Sequence, residues 1–130
     1  MQFKENQTIY LQIAERISDE ILLGHYASGA RIPSVREYAA LVEVNANTVM
    51  RSYEFLQTQG IIFNKRGIGF FVSPDAKHKI TEYRRNEFLK TELPRFFMQL
   101  YTLHIPMDEI DSMYREFIEN LTSNPSNQAS

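Results

Sequence analysis

The sequence predicts a mainly α fold with one small β-hairpin: three helices, the hairpin, then two further helices. Three observations predict it. Apolar residues recur every three or four positions in several separate stretches. Capping residues and glycines stand at the ends of those stretches. Two short runs rich in β-branched and aromatic residues, 61–63 and 69–72, flank a basic turn that carries glycine.

The first helix follows from Ile9, Ile13, Ile17 and Ile21, with Tyr10, Ala14 and Leu22 alongside and polar Glu15, Arg16, Ser18 and Asp19 between. This spacing puts the isoleucines on one face of a helix over about 8–24. Gly24 stands where a left-handed cap is needed. The stretch HYASGARIPS is a loop, with a short extended piece at Ala30–Ile32 ahead of Pro33. Ser34, followed three residues later by Glu37, has the form of a capping box. A short second helix over 35–42 would bury Val35, Tyr38, Ala39 and either Leu41 or Val42.

Asn45 is a good cap for a third helix reaching about Gln59, with Val49, Ser52, Tyr53 and Leu56 inward and Gly60 at its end. Asn64–Ile68 is then the tip of the hairpin, and Pro74–Asp75 closes a first domain at 1–75. Residues 76–121 read as helical. Ile80, Tyr83, Phe88, Leu89, Leu93, Phe96, Phe97, Leu100 and Tyr101 form a long stripe that Pro94 should kink or split. After Ile105–Pro106 a last helix carries Ile110, Met113, Tyr114, Phe117, Ile118 and Leu121 on one face. The polar end, 122–130, is expected to be disordered.

The order helix, helix, helix, hairpin, with a very short second connection, is that of a winged helix-turn-helix, in which the third helix enters the major groove of double-stranded DNA. Asn45, Asn47 and Thr48 crowd the first turn of that helix and Arg51 lies one turn on. Such side chains can bond base edges. The positive end of that helix dipole also points at phosphate, and Ser34 and Arg36, at the start of the second helix, are placed to hold the phosphate backbone. Lys65 and Arg66 give the hairpin a basic tip, and Gly67 and Gly69 allow close backbone approach. Each has a plainer reading: Asn45 as a cap, Arg36 as a surface charge beside Glu37 or Glu43, Lys65–Arg66 as a solvated turn.

Charge does not decide the matter. The net charge is −2; residues 1–75 hold 7 basic and 8 acidic side chains, and 76–130 hold the same numbers. Phosphate binding depends on local placement rather than on this total. With 43% apolar and 23% charged residues the composition is that of an ordinary globular protein, and no apolar run approaches a membrane span. The start of the chain lacks the apolar core of a secretory signal, and there is no cysteine for disulfides or thiolate metal sites, so a cytoplasmic location is expected. The three histidines lack ligand spacing and the carboxylates form no acid–base pair, so no catalytic, metal or cofactor site is expected.

The stretch from Thr8 to Val72 resembles the GntR family of bacterial regulators. The resemblance rests on IYLQI, the Gly24 and Gly29 spacing, IPSVREYA, NTVMRSYEFL, the Gln59–Gly60 ending and RGIGFFV, in that order. Arg36, Thr48 and Gly67 match contact positions of the family. Many members carry Ser-Arg just ahead of the Thr-Val of the third helix; here Asn45–Ala46–Asn47 stands there, without the arginine at position 46. Asn-x-Asn-Thr-Val looks like the YtrA subfamily. The resemblance implies a homodimeric repressor near transporter genes, and leaves an effector unspecified.

The last 55 residues are too few for a ligand-binding domain with its own core. Their apolar faces can pack on the same chain or on a second copy. The second is favoured, with Phe88, Phe96, Phe97, Leu100, Tyr101, Ile110, Met113, Tyr114, Phe117, Ile118 and Leu121 in a dimer seam. Phe96, Phe97, Tyr101 and Tyr114 could instead line a small-molecule pocket, though such aromatics more often form interface core. A protein- or RNA-binding winged helix is the rival to DNA.

Overall fold

The computed structural model describes residues 7–123. Along the chain run α1 (Ile9–Leu22), α2 (Val35–Val42), α3 (Ala46–Thr58), strands β1 (Ile62–Lys65) and β2 (Gly69–Val72), and α4 (Ala76–Glu87). A π-helical segment at Phe88–Glu92 follows, then α5 (Leu93–Thr102) and α6 (Met107–Ser123). The expected mainly α fold with one hairpin is what the chain forms. The disordered end expected at 122–130 lies outside the described residues from position 124 on, while 122 and 123 are the last turn of α6.

The chain divides into two compact units, residues 1–85 and 86–130. The first therefore runs ten residues past the boundary expected at 75. The reason is packing: Ala76 and Ile80 of α4 are 2% and 1% exposed and join the first core. Tyr83 sets its ring edge-on to Phe55 at 5.3 Å, and Arg84 pairs with Asp19 at 2.7 Å.

That core gathers Ile13, Ile17 and Ile21 from α1, Tyr38 and Ala39 from α2, Val49, Tyr53 and Leu56 from α3, and Ile62 and Val72 from the hairpin. Burying an isoleucine is worth roughly 1.5–3 kcal/mol, so the α1 stripe is a principal source of stability. Its first member, Ile9, is exposed at the helix start. Of the alternatives at the end of α2, Val42 is half-buried against the core and Leu41 faces out.

The helix ends use the residues read from sequence, with one exception in each unit. Gly24 and Gly60 are left-handed (φ +86° and +76°), and the following amides, of His25 and Ile61, return to Glu20 and Leu56 carbonyls five residues back. The exception in the first unit is Glu43, and His104 (φ 57°) repeats it at the end of α5, where Ile105 N–H returns to the Leu100 carbonyl. Glu43 takes the same left-handed form (φ 57°) at the end of α2, and Val44 N–H returns to the Ala39 carbonyl. The tight α2–α3 turn thus places a side chain where glycine is the usual residue.

β1 and β2 pair antiparallel, Ile62 with Val72 through Lys65 with Gly69. The α1–α2 loop adds a short third strip. Arg31 bridges to Phe71, Ile32 N–H donates to the Phe70 carbonyl and Val72 N–H to that of Ala30.

Tyr53 ties these parts together. It is fully buried on α3, and its hydroxyl donates to the Pro33 carbonyl at 2.6 Å. Its ring meets Phe70 of β2 edge-on at 5.0 Å and Tyr38 of α2 at 6.3 Å. Glu20 braces the far side of α2, accepting hydrogen bonds from Tyr38 at 2.9 Å and Arg16 at 3.1 Å. Burial, then the Glu20 charge, pushes the Tyr38 hydroxyl up and the neighbouring Tyr26 hydroxyl up to about 12, so both stay protonated at neutral pH.

In the second unit, α5 starts with Pro94 in its first turn. The proline has no N–H to continue the ladder, and the chain widens to π spacing just before it, Leu93 N–H reaching the Phe88 carbonyl. The long helix thus changes to π spacing just ahead of Pro94 without a break, running through α4, the π segment and α5, and α6 is the second C-terminal helix expected. Among the described residues no helix is long and apolar enough to cross a membrane.

Tyr53→Phe removes the donor to Pro33 and leaves that carbonyl unpaired. It lowers unfolding free energy by about 1–2 kcal/mol, seen as an earlier urea midpoint at unchanged slope and fixed protein concentration.

Candidate nucleic-acid interface

The capping box read from sequence is formed. Glu37 N–H donates to Ser34 Oγ at 3.1 Å, and Ser34 N–H donates to Glu37 Oε1 at 2.9 Å. Ser34 thus spends its own amide internally and keeps its hydroxyl hydrogen for an outside acceptor. The bond from the Ser34 amide holds the exposed Glu37 carboxyl below the usual range. Arg36, in the first turn of α2, is exposed and has no ion pair among the described residues, with neither Glu37 nor Glu43 holding it.

At the start of α3, Asn45 Oδ1 accepts the Asn47 amide at 2.7 Å. The cap uses the oxygen of Asn45 and leaves its amino group outward. Asn47 is exposed and Thr48 half-buried. They share one end of α3, while Val49, Ser52, Tyr53 and Leu56 face the core. Ser52 Oγ fastens this helix to α1 through the Tyr10 carbonyl at 2.6 Å. Arg51 does not extend freely, since its guanidinium lies 4.3 Å over the Tyr10 ring. Exposed Glu54 follows one turn further along, so the part of α3 suited to an anionic partner is its first turn and a half.

The hairpin tip turns through Ile68 N–H bonded to the Lys65 carbonyl at 2.9 Å, with Gly67 at φ +76°. A type II turn needs positive φ at that position, which glycine supplies. Arg66 and Gly67 are exposed at the tip. Lys65 Nζ sits 4.5 Å over Phe71, which stacks on Phe63 at 5.8 Å.

The structure adds one cation that sequence reading passed over. Arg31 is exposed beside the base of the hairpin, and a Cβ on Gly69 (φ +145°) would meet its Nε at 2.9 Å. Gly69 therefore makes room for Arg31 as well as for the backbone. By sequence Arg31 falls in the loop ahead of Pro33, and the extended piece at 30–32 pairs it with β2. Ser34 and Arg36 thus stand at the start of α2 and Asn45, Asn47 and Thr48 at the start of α3, while Tyr53 ties the Pro33 carbonyl just ahead of α2 and Phe70 of the hairpin to the middle of α3.

In the second unit the expected seam is largely uncovered. Phe88, Phe96, Phe97, Tyr101, Met113, Tyr114, Phe117 and Ile118 are all exposed, and Ile110 and Leu121 are half-buried. Leu100, 7% exposed, is already covered within the chain. Among the described residues no cluster of His, Cys, Asp and Glu suits a metal ion.

A three-helix core with a basic hairpin packed on α3 through Phe70 and Tyr53 defines a winged helix-turn-helix DNA-binding protein. Residues 9–72 match the model for bacterial regulatory proteins of the gntR family. The HTH-type transcriptional regulator YhcF of Bacillus subtilis is 31% identical, over 91% of this chain and 96% of its own. The HTH-type transcriptional repressor YtrA of the same organism is 28% identical, over 87% and 86%. A GntR-family regulator structure from Bacteroides thetaiotaomicron is 61% identical, covers 87% of this chain and 98% of its own, and has a TM-score of 0.76. The chain belongs to the GntR family and is a DNA-binding transcriptional regulator; its relatives are regulators, not enzymes. The likeness to YhcF and YtrA runs through the C-terminal helices, so this short second unit is shared with them.

Because the folded-state pKa of Glu37 is depressed, its contribution to stability is present above the ordinary glutamate pKa and fades as pH falls through the lowered one. The stability difference between wild type and Glu37→Gln, followed by urea unfolding from pH 7 to pH 3, should be largest at pH 7 and shrink only below the usual glutamate range.

Proposed function

We propose that the chain is a homodimeric repressor that binds a pseudo-palindromic operator, one half-site for each winged helix. The observation that carries the dimer is the second unit: among its described residues only Leu100 is buried, while a row of phenylalanine, tyrosine and methionine side chains faces outward. Exposed apolar surface on this scale calls for a partner. Two helices bearing self-complementary apolar stripes meet that need with a second copy. The dimer would then present two α3 helices to successive major grooves, about 34 Å or a multiple apart.

In this reading Asn45, Asn47 and Thr48 contact base edges. Ser34, Arg36, Lys65, Arg66 and the Gly67–Gly69 backbone hold phosphate, and Arg51 is steadied by Tyr10 at the groove edge. Repression rests on likeness to YtrA, described as a repressor. Transporter genes as targets follow the subfamily resemblance of the Asn-x-Asn-Thr-Val motif, and a cytoplasmic location suits a DNA-binding regulator. Of the rival readings, a protein-binding winged helix lacks the steep weakening with salt that duplex binding shows, and an RNA-binding one lacks selectivity for a duplex DNA sequence. A promoter fragment from beside the gene that gave no sequence-selective shift would overturn the repressor.

Two substitutions separate the parts. Arg36→Ala, at an exposed unpaired side chain, should keep the fold by circular dichroism, weaken operator affinity roughly tenfold and lower the salt slope by about 1. Phe117→Asp places a charge in the apolar seam of α6 and should give a monomer by light scattering. A Phe117→Asp protein that stayed dimeric would exclude α6 from the seam.

A further inference from the structure

The first unit contains a second concavity, built from residues outside the DNA-facing set. A cavity of about 480 Å³ opens between the end of α1, the loop Tyr26–Ser28, the end of β2 and the start of α4. Small-molecule sites run from about 300 to 1,000 Å³. The floor is apolar: Ile21, Val72 and Ala76 are each no more than 2% exposed.

Two independent features of the rim favour an anionic group. The first is the start of α4, where the amides of Lys77 and His78 have no acceptor among the described residues. These lie at the positive end of a 12-residue helix. The second is Ser73, which lines the cavity and is only 7% exposed, yet its hydroxyl makes no hydrogen bond among the described residues. The hydroxyl oxygen itself is not sealed from solvent, so it is open to an outside partner. Its neighbour across the cavity, Ser28, is already engaged with the Pro74 carbonyl at 3.3 Å. Lys77 adds a cation, His78 turns to Glu82 at 3.6 Å, and Asp75 places one opposing carboxylate on the rim.

We propose that this cavity binds a small organic monocarboxylate. The Ser73 hydroxyl and the free amides of Lys77 and His78 take the carboxylate, and a short aliphatic or aromatic body covers Ile21, Val72 and Ala76. The Asp75 charge disfavours doubly charged heads. The site stands independently of the operator and dimer readings, because its test needs no DNA.

The test is titration of the isotope-labelled full chain with benzoate, phenyl phosphate and benzyl alcohol, followed by amide NMR. Benzoate should give saturable shifts at Ser73, Lys77 and His78, with weaker binding of phenyl phosphate and none of the alcohol. Ser73→Ala should weaken benzoate, while Asp75→Asn should tighten it about two- to fivefold. Any of three results overturns the proposal: no saturable benzoate shifts at these residues, alcohol binding equal to benzoate, or weaker benzoate binding in Asp75→Asn.

Discussion

The arrangement of the first unit depends on Tyr53. A phenol buried in the middle of α3 reaches the Pro33 carbonyl just before α2, and its ring holds Phe70 of the hairpin. Three segments are thereby fixed by one side chain: the start of α2, the body of α3 and the hairpin. A hydrophobic core alone would hold them together without fixing their angles, because apolar contact is non-directional. The hydrogen bond and the edge-on ring contact supply the direction.

Electrostatics around this frame are local. The chain is slightly acidic overall, yet the residues gathered at the starts of α2 and α3 and on the hairpin are cations, amides and hydroxyls. Several are already oriented by internal partners: Ser34 by Glu37, Asn45 by the Asn47 amide, Arg51 by Tyr10, Lys65 by Phe71. Such pre-positioning reduces the ordering that binding must impose. Arg36 and Arg66 are exposed, and neither has an ion pair among the described residues. The second unit follows a different logic. Its aromatic and methionine side chains face outward, and among its described residues only Leu100 is buried.

Much of this was legible in the chain itself. The isoleucine spacing of α1, the Ser34–Glu37 box, the Asn45 cap and the hairpin runs each reflect short-range rules, and the structure places them within a residue or two of their expected bounds. Long-range effects were harder to read. Ile80 looked like one member of a C-terminal stripe, but it closes the first core and carries the unit to Arg85. Arg31 looked like a loop residue until pairing with β2 set it beside Gly69. Glu43 carries no local signal of a left-handed bend, because the bend is imposed by the close packing of α2 on α3 rather than by the residue's preference.

The sequence by itself determined the order of the elements, their caps and the family, since periodicity, capping and turn chemistry act over a few residues. Only the tertiary structure decided which side chains stand free for a partner. Arg36 and Arg51 are alike on paper; one is unpaired and the other rests on Tyr10 because α1 crosses beside α3. The extent of the first unit, the role of Tyr53 and the cavity at the start of α4 likewise depend on residues far apart in the chain, whose meeting no local pattern encodes.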